Sequence, residues 1–282
     1  MKIEYQGVQL SKIFPTFLES LEVIYTLHDL KRVTRICCEY GQIESIKKFC
    51  EDNGLFLSCN YKLIHVVDLN KGFSNRCKFM PLDATKQGKP VIFISKNKEL
   101  CDLAANPTLR ESLELGIILE YPRCCAVHYM KNFNKASEKQ MDFVLLTGGD
   151  KLTYPFYNNI CLRPFGISLI SHFPCSFDCK KSEEIAMKRL KLLRKGYPAI
   201  AQKFEKELKS FVVYSEYEGV HYTSEYLLES GKISFRSLIS TADTRLRKAL
   251  LEAGSVTAEN SSLFSIDGKD LKPENTGLFV FE

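Results

Sequence analysis

The segment that most restricts the fold of this chain is Pro90–Ser95, which reads PVIFIS. It is a short apolar run, rich in β-branched residues and bounded by polar ones. A run of this length and composition predicts a buried strand rather than one that alternates between core and solvent. The fold therefore has to place at least one strand in its interior.

Helical and extended patterns alternate around this strand, and the alternation favours an α/β arrangement over separate layers of helices and strands. Apolar residues at helical spacing predict the helices, and Gly54 stands where a helix-ending glycine is expected. The predicted helices are 14–30, 42–53, 98–105 and 109–119; the predicted strands are 31–38, 55–59 and 62–69; the polar, turn-rich residues 71–89 predict a loop.

The second half of the chain changes its pattern at Ser210. Before this residue, helices are predicted at 121–133, 182–195 and 198–209, with Ser182 as the N-cap of the second. After it, short alternating runs predict half-buried strands. We therefore predict an α/β (mixed α+β) main domain at residues 1–210, followed by a small C-terminal antiparallel β module at residues 211–282.

The charge and the N-terminus limit the possible partners. A formal net charge of +5 over 282 residues permits an anionic partner without requiring one. No secretory signal is recognisable, and no run reaches the roughly 18–20 apolar residues of a membrane helix. We expect a cytoplasmic protein with no membrane partner. The basic end of the helix at 182–195 could bind nucleic acid, but a solvated face that complements the helix dipole explains it better.

Eleven cysteines are many for a cytoplasmic chain. An odd number cannot all pair within one chain, and a reducing compartment disfavours structural disulfides. The expected uses are burial as small hydrophobic residues, metal ligation and thiolate chemistry. Cys37 and Cys38 form an adjacent pair on a predicted strand, where they would face opposite sides, so we predict that they are buried. Five more cysteines have no partner at ligand spacing and are predicted to be buried or incidental: Cys50, Cys59, Cys77, Cys101 and Cys161.

The remaining four cysteines form two clusters. One is Cys124-Cys125 within the run YPRCC, and the other is His172, Cys175 and Cys179 within HFPCSFDC. Thiolate and imidazole are the ligands that zinc prefers, and thiolates hold iron–sulfur clusters. Both clusters stand at predicted helix entrances, where backbone N–H groups stabilise thiolates. The spacing predicts a site that holds zinc or an iron–sulfur cluster.

The roles within this site follow from helix geometry. Adjacent residues of a helix point about 100° apart, so only one of Cys124 and Cys125 is expected to bind the metal. We predict Cys125, His172, Cys175 and Cys179 as metal ligands, and His172 and Cys124 as catalytic residues. Three thiolates with one histidine would make a closed, structural zinc site, whereas three thiolates alone would suit a cluster with an open, catalytic iron.

The two cysteine motifs together resemble a prokaryotic family that is known as domain of unknown function 483. The resemblance covers roughly residues 15–210, and its specific part is the run Leu115-Gly116 … Tyr121-Pro122-Arg123-Cys124-Cys125, followed about 50 residues later by His172-Phe173-Pro174-Cys175-Ser176-Phe177-Asp178-Cys179 and Ser182. It implies that the two cysteine pairs and His172 belong together, and it implies nothing about a substrate. His128 is not expected to belong to this pattern.

Three functions stay open at this point. The first is a metal- or thiolate-dependent biosynthetic enzyme that acts on a small molecule or a peptide. The second is a non-catalytic binding protein with a structural zinc clip, and the third is a thiol–disulfide redox protein that uses Cys175 and Cys179. No phosphate-binding loop, nucleophile elbow or zinc-protease helix motif is present in the sequence. Asn158, Asn159 and Arg163 precede the second cluster and could line a pocket near it.

Overall fold

The structure is a computed structural model that describes residues 1–65, 77–83, 87–138, 143–266 and 275–282. It divides into two compact units, Met1–Met141 and Asp142–Glu282. The described residues combine helices with several antiparallel sheets, including a small strand module near the C-terminus, so the predicted fold class is confirmed. None of the described helices is long and apolar enough to cross a membrane.

The first unit is built around a four-stranded antiparallel sheet. Its helices are α1 (Phe17–Leu27), α2 (Ile43–Asp52), α3 (Lys98–Ala104), α4 (Leu113–Ile118) and α5 (Arg123–Glu138), and its strands are β1 (Glu4–Tyr5), β2 (Val8–Gln9), β3 (Val33–Cys37), β4 (Phe56–His65), β5 (Cys77–Pro81) and β6 (Lys89–Ser95). The sheet has the order β3-β6-β4-β5, and β1 and β2 form a separate hairpin.

The sheet is covered on both faces, and β6 is one of its two inner strands. All of β6 except its first residue is buried, so the strand predicted from PVIFIS is confirmed. On one face, Val33 and Phe93 pack against Cys101 and Leu115 of α3 and α4. On the other face, the Thr34 hydroxyl donates a hydrogen bond to the main-chain carbonyl of Glu22 in α1 at 2.9 Å.

Strand β5 corrects the loop predicted at residues 71–89. Residues Cys77–Pro81 pair with β4 in an antiparallel register instead. The strand is short and lies at the edge of the sheet, and it is defined by its pairing with β4. One of its side chains, Phe79, packs edge-on against Tyr61 with ring centroids 5.4 Å apart. Residues 71–76 and 84–86 of the predicted loop, and residues 66–69 of a predicted strand, lie outside the described part of the chain.

The second unit combines helices with two sheets. Its helices are α6 (Val144–Thr147), α7 (Lys180–Gly196), α8 (Pro198–Leu208) and α9 (Arg245–Ala253), and its strands are β7 (Thr153–Tyr154), β8 (Phe211–Ser215), β9 (Gly219–Thr223), β10 (Tyr226–Glu229), β11 (Lys232–Phe235), β12 (Ile239–Ser240), β13 (Ser255–Ala258), β14 (Phe264–Ile266) and β15 (Thr276–Phe281). The two sheets have the orders β12-β9-β8-β15-β7 and β10-β11-β13-β14.

The C-terminal strands share a sheet with an earlier segment. The two residues of β7 pair in parallel with β15, while β8 pairs with the other edge of β15. The boundary predicted at residue 210 therefore lies inside the second unit. A two-residue strand has no hydrophobic periodicity, so nothing in the sequence links residues 153–154 to the end of the chain.

We predict that Gly231→Ala destabilises the second unit. Ser230 and Gly231 form the two-residue turn between β10 and β11 with φ angles of +48° and +80°, as in a type I′ turn. A Cβ atom at Gly231 would stand 2.9 Å from the carbonyl oxygen of Ala258. We expect the free energy of unfolding to fall by about 1–3 kcal/mol in urea denaturation.

Gly196→Ala is the matched control. Gly196 is the last residue of α7, and a Cβ atom at this position would meet no described atom within 4 Å outside its own helix. The free energy of unfolding should stay unchanged or rise slightly, because alanine favours a helix more than glycine does. Equal losses in both variants would contradict the strain assigned to Gly231.

Candidate metal centre

The first cysteine pair stands in the first turn of α5. The carbonyl of Pro122 accepts hydrogen bonds from the backbone N–H groups of Cys125 and Ala126 at 2.8 and 3.0 Å, which starts the helix. The sulfur atoms of Cys124 and Cys125 are 3.9 Å apart. They do not diverge as adjacent residues of a long helix would. Side chains in a first turn point beyond the helix N-terminus, where rotation about χ1 can bring two neighbouring sulfurs together.

The second pair flanks a buried aromatic ring. Phe177 is 0% exposed, and its ring lies edge-on to Tyr154, Phe279 and Phe281 at centroid distances of 5.2, 5.0 and 5.1 Å. Because Cys175 and Cys179 are each two residues from this ring, its burial restricts where both sulfurs can stand. This role of Phe177 was not predicted from the sequence; its signal is an isolated apolar residue within a polar loop.

A buried amide fixes the backbone between these two cysteines. The side-chain amide of Asn158 donates hydrogen bonds to the carbonyls of Phe177 and Cys179 at 2.9 and 3.1 Å. Asn158 is fully buried, so these bonds satisfy carbonyl groups that water would otherwise have to solvate. Asn158 therefore shapes the cysteine loop, whereas Asn159 donates to the carbonyl of Leu208 at 2.9 Å.

Two further side chains hold the segment that precedes Cys175. The guanidinium of Arg163 donates to the carbonyls of His172 and Ile170 and lies 4.8 Å from the centre of the Phe173 ring. The hydroxyl of Thr147 donates to the carbonyl of Pro174 at 3.0 Å. The loop lacks the backbone–backbone hydrogen bonds of a helix or a sheet. The side chains of Arg163 and Thr147 bind its carbonyl groups instead.

Helix α7 begins directly at the second pair. Cys179 is its N-cap, so the N-cap predicted at Ser182 is wrong by three residues. Ser182 lies inside the first turn, fully buried, and its hydroxyl is 2.7 Å from Nε2 of His172. A helix N-terminus stabilises negative charge, and this favours the thiolate form of the N-cap cysteine.

The four sulfur atoms converge. Those of Cys124, Cys125, Cys175 and Cys179 all lie within 4.8 Å of one another. Four thiolates at about 2.3 Å from one zinc ion in a tetrahedron have sulfur–sulfur distances of about 3.8 Å. The donor set and its spacing thus fit a single metal ion after a small contraction, and the cysteines of both predicted clusters belong to one group.

His172 does not belong to this group of four. It is buried, and Ser182 is its hydrogen-bonding partner at Nε2. Its predicted role as a ligand or a catalytic acid–base group stays a prediction. His128, one turn beyond Cys124 on α5, is not in the group either; burial lowers the pKa of its imidazole, and Asn132 stands 3.3 Å from its Nδ1.

Most of the other cysteines are buried or half-buried. Cys38, Cys50, Cys101 and Cys161 are buried, as predicted, while Cys37 and Cys59 are half-buried; the side chain of Cys77 lies outside the described part of the chain. Burial raises the pKa of the Cys38 and Cys50 thiols to about 12 and that of Cys59 to about 11. At neutral pH these groups are protonated and are poor nucleophiles.

We predict that Phe177→Ala weakens both stability and metal binding. Removal of a buried aromatic ring should lower the free energy of unfolding by about 3–5 kcal/mol. Phe177→Leu keeps apolar volume and should lose less in urea denaturation. The metal affinity of the folded protein should fall with Phe177→Ala, because the loop between Cys175 and Cys179 loses its anchor. An unchanged affinity would show that the ring does not position the sulfurs.

Comparison with known proteins gives no relative. No protein-family model, no curated protein and no solved structure matches this chain. The resemblance to domain of unknown function 483 therefore stays a prediction, and the geometry of the four cysteines is the basis for assigning a function.

Proposed function

We propose that the chain binds one zinc ion through the thiolates of Cys124, Cys125, Cys175 and Cys179, and that this ion is structural. The observation that carries the proposal is the convergence of the four sulfur atoms within 4.8 Å. The site belongs to a non-catalytic binding protein of the cytoplasm, where thiols remain reduced and available to a metal. Zinc bound here stabilises the fold around the two cysteine pairs.

The spacing of the sulfurs favours a single ion over an iron–sulfur cluster. A cluster contains several iron atoms, and its cysteines are divided among them, so thiolates on different irons stand further apart than thiolates around one ion. Sulfurs that all lie within 4.8 Å leave little room for such a cluster. Zinc is the ion that most often takes four thiolates in a tetrahedron.

The number of ligands favours a structural role. Four protein ligands fill the tetrahedron, whereas catalytic zinc sites keep one position open for water or substrate. The helix dipoles at α5 and α7 offset part of the negative charge that four thiolates bring to one ion. Such a site adds its binding free energy to the stability of the folded state.

One observation favours a catalytic alternative. Cys124 is exposed, while Cys125 and Cys179 are buried. If Cys124 left the ion, a coordination position would open toward solvent, and a small molecule or a peptide could reach it. In that case the protein is a metal-dependent enzyme in which Cys124 or the buried His172 accepts or donates a proton.

We predict one zinc ion per chain and a large loss of affinity when a ligand is removed. Protein purified without oxygen should be colourless and contain zinc, and chelation should lower its melting temperature. Cys175→Ser should weaken zinc binding about a hundredfold or more in a competition assay with a chromophoric chelator. Cys59→Ser, which changes a half-buried cysteine outside the group, should bind zinc normally.

The same measurements can reject the proposal. If the purified protein is brown and contains iron and sulfide, the site holds an iron–sulfur cluster and not zinc. The site would be ruled out if the protein contained no metal whether it was purified with or without oxygen. Equal zinc affinity in Cys175→Ser and Cys59→Ser would rule it out as well. Cys124→Ser separates the two roles of zinc: a structural ion predicts lower affinity, whereas a catalytic ion predicts nearly unchanged affinity.

We also predict that zinc decides which thiols can be alkylated. At pH 8, iodoacetamide should modify the zinc-loaded protein little, and chelation should expose the cysteines of the group. Cys38 and Cys50 should stay unmodified in the folded state, because a pKa of about 12 leaves them protonated until the pH rises toward that value. Peptide mass spectrometry would identify the alkylated cysteines. Equal labelling of Cys50 and Cys124 after chelation would contradict this.

A further inference from the structure

Helices α7 and α8 concentrate positive charge within the second unit. Residues 180–209, which contain both helices, carry ten lysines and arginines against four glutamates, a net charge of +6. The rest of the unit, residues 142–179 and 210–282, carries nine basic residues against fourteen acidic ones, a net charge of −5. The excess positive charge of this unit therefore belongs to one pair of helices.

Three lysines form a stripe along α7. Lys188, Lys191 and Lys195 stand at positions i, i+3 and i+7, so they lie on one side of the helix within about 60° of one another. All three are exposed, and none of them forms a hydrogen bond or an ion pair with the described residues. We call these three residues the lysine stripe.

The helix dipole explains only the end of this stripe. Its effect falls off within the last turn of a helix. Since α7 ends at Gly196, Lys195 lies in the last turn, whereas Lys188 stands two turns earlier. Packing does not explain the stripe either: buried Arg189 of the same helix donates to the carbonyl of Leu169 at 3.0 Å, but the three lysines point to solvent.

The four glutamates of the helix pair do not neutralise the lysine stripe. Glu183 and Glu205 are each paired with a basic residue outside the stripe, at 2.8 and 2.6 Å. One carboxylate oxygen of Glu207 is completely buried. Glu184 is exposed one turn before Lys188 on the same side of α7 and forms no ion pair with the described residues. Among these four glutamates, a single carboxylate thus stands beside three ammonium groups.

We propose that the lysine stripe binds the sugar–phosphate backbone of a nucleic acid, RNA or DNA. From Lys188 to Lys195 the helix rises about 10 Å, and over this length one strand of a duplex carries about three phosphates. Three ammonium groups in a line match a linear polyanion better than a planar membrane surface, because anionic lipids would also meet the negative charge of the rest of the unit. Contacts to phosphates carry no sequence information, so we expect binding that does not depend on base sequence. This surface is separate from the zinc site.

The test measures the binding of labelled single-stranded RNA and of labelled duplex DNA to the full chain by fluorescence anisotropy. At least one of them should bind at about 50 mM salt, and the preferred probe identifies the kind of nucleic acid. The logarithm of the association constant should fall against the logarithm of the salt concentration with a slope of about −2 to −3, as expected for three phosphate contacts.

Two triple variants of equal charge test the location of the surface. The combined change Lys188→Gln, Lys191→Gln and Lys195→Gln should weaken binding about tenfold or more and reduce the salt slope. The control removes three exposed basic residues of the same unit that form no ion pair with the described residues, and its affinity should stay within about twofold of the unchanged protein; it combines Lys232→Gln, Arg236→Gln and Arg245→Gln.

Three outcomes would overturn the proposal. They are no binding of either nucleic acid at low salt, equal affinity of the two triple variants, and tighter binding to vesicles of anionic lipid than to either nucleic acid. Thermal unfolding checks that each variant is folded. The metal content should be the same in both variants, so a failure of the zinc site and a failure of this surface can be told apart. Replacement of the three lysines by arginine keeps the charge and should keep the binding; a loss there would also contradict the proposal.

Discussion

Burial of the Phe177 ring restricts the positions of two of the four sulfurs. The ring is held by three aromatic residues of the same core, and Cys175 and Cys179 flank it at two residues on either side. The loop lacks regular secondary structure, so its backbone would be soft if its carbonyls faced water. Asn158 and Thr147 instead bind these carbonyls from buried positions. Packing and backbone hydrogen bonds thus preorganise ligands that the loop alone could not hold.

Much of the fold could be predicted because its signals are local. Three predicted elements have a periodicity or a composition that can be recognised without knowledge of distant residues. They are the buried strand at Pro90–Ser95, the helix α7 and the antiparallel strands after Ser210. Strands β5 and β7 have no such signal. They exist because a neighbouring strand offers backbone partners, and pairing with another segment is a property of the folded chain.

The sequence indicated that the four cysteines of the candidate site belong together, but not which of them share the group as ligands. Spacing of ligand-type residues brought Cys124, Cys125, Cys175 and Cys179 together, and the structure groups these four. The rule that adjacent residues of a helix diverge led us to exclude one of Cys124 and Cys125 as a ligand. That rule does not hold in the first turn of a helix, where side chains have more freedom. His172 was grouped with the cysteines because of its ligand-type side chain, its spacing from Cys175 and the resemblance to domain of unknown function 483. Its contact with Ser182 depends on where α7 begins, and the N-cap of that helix lies three residues before the one that the capping pattern indicated.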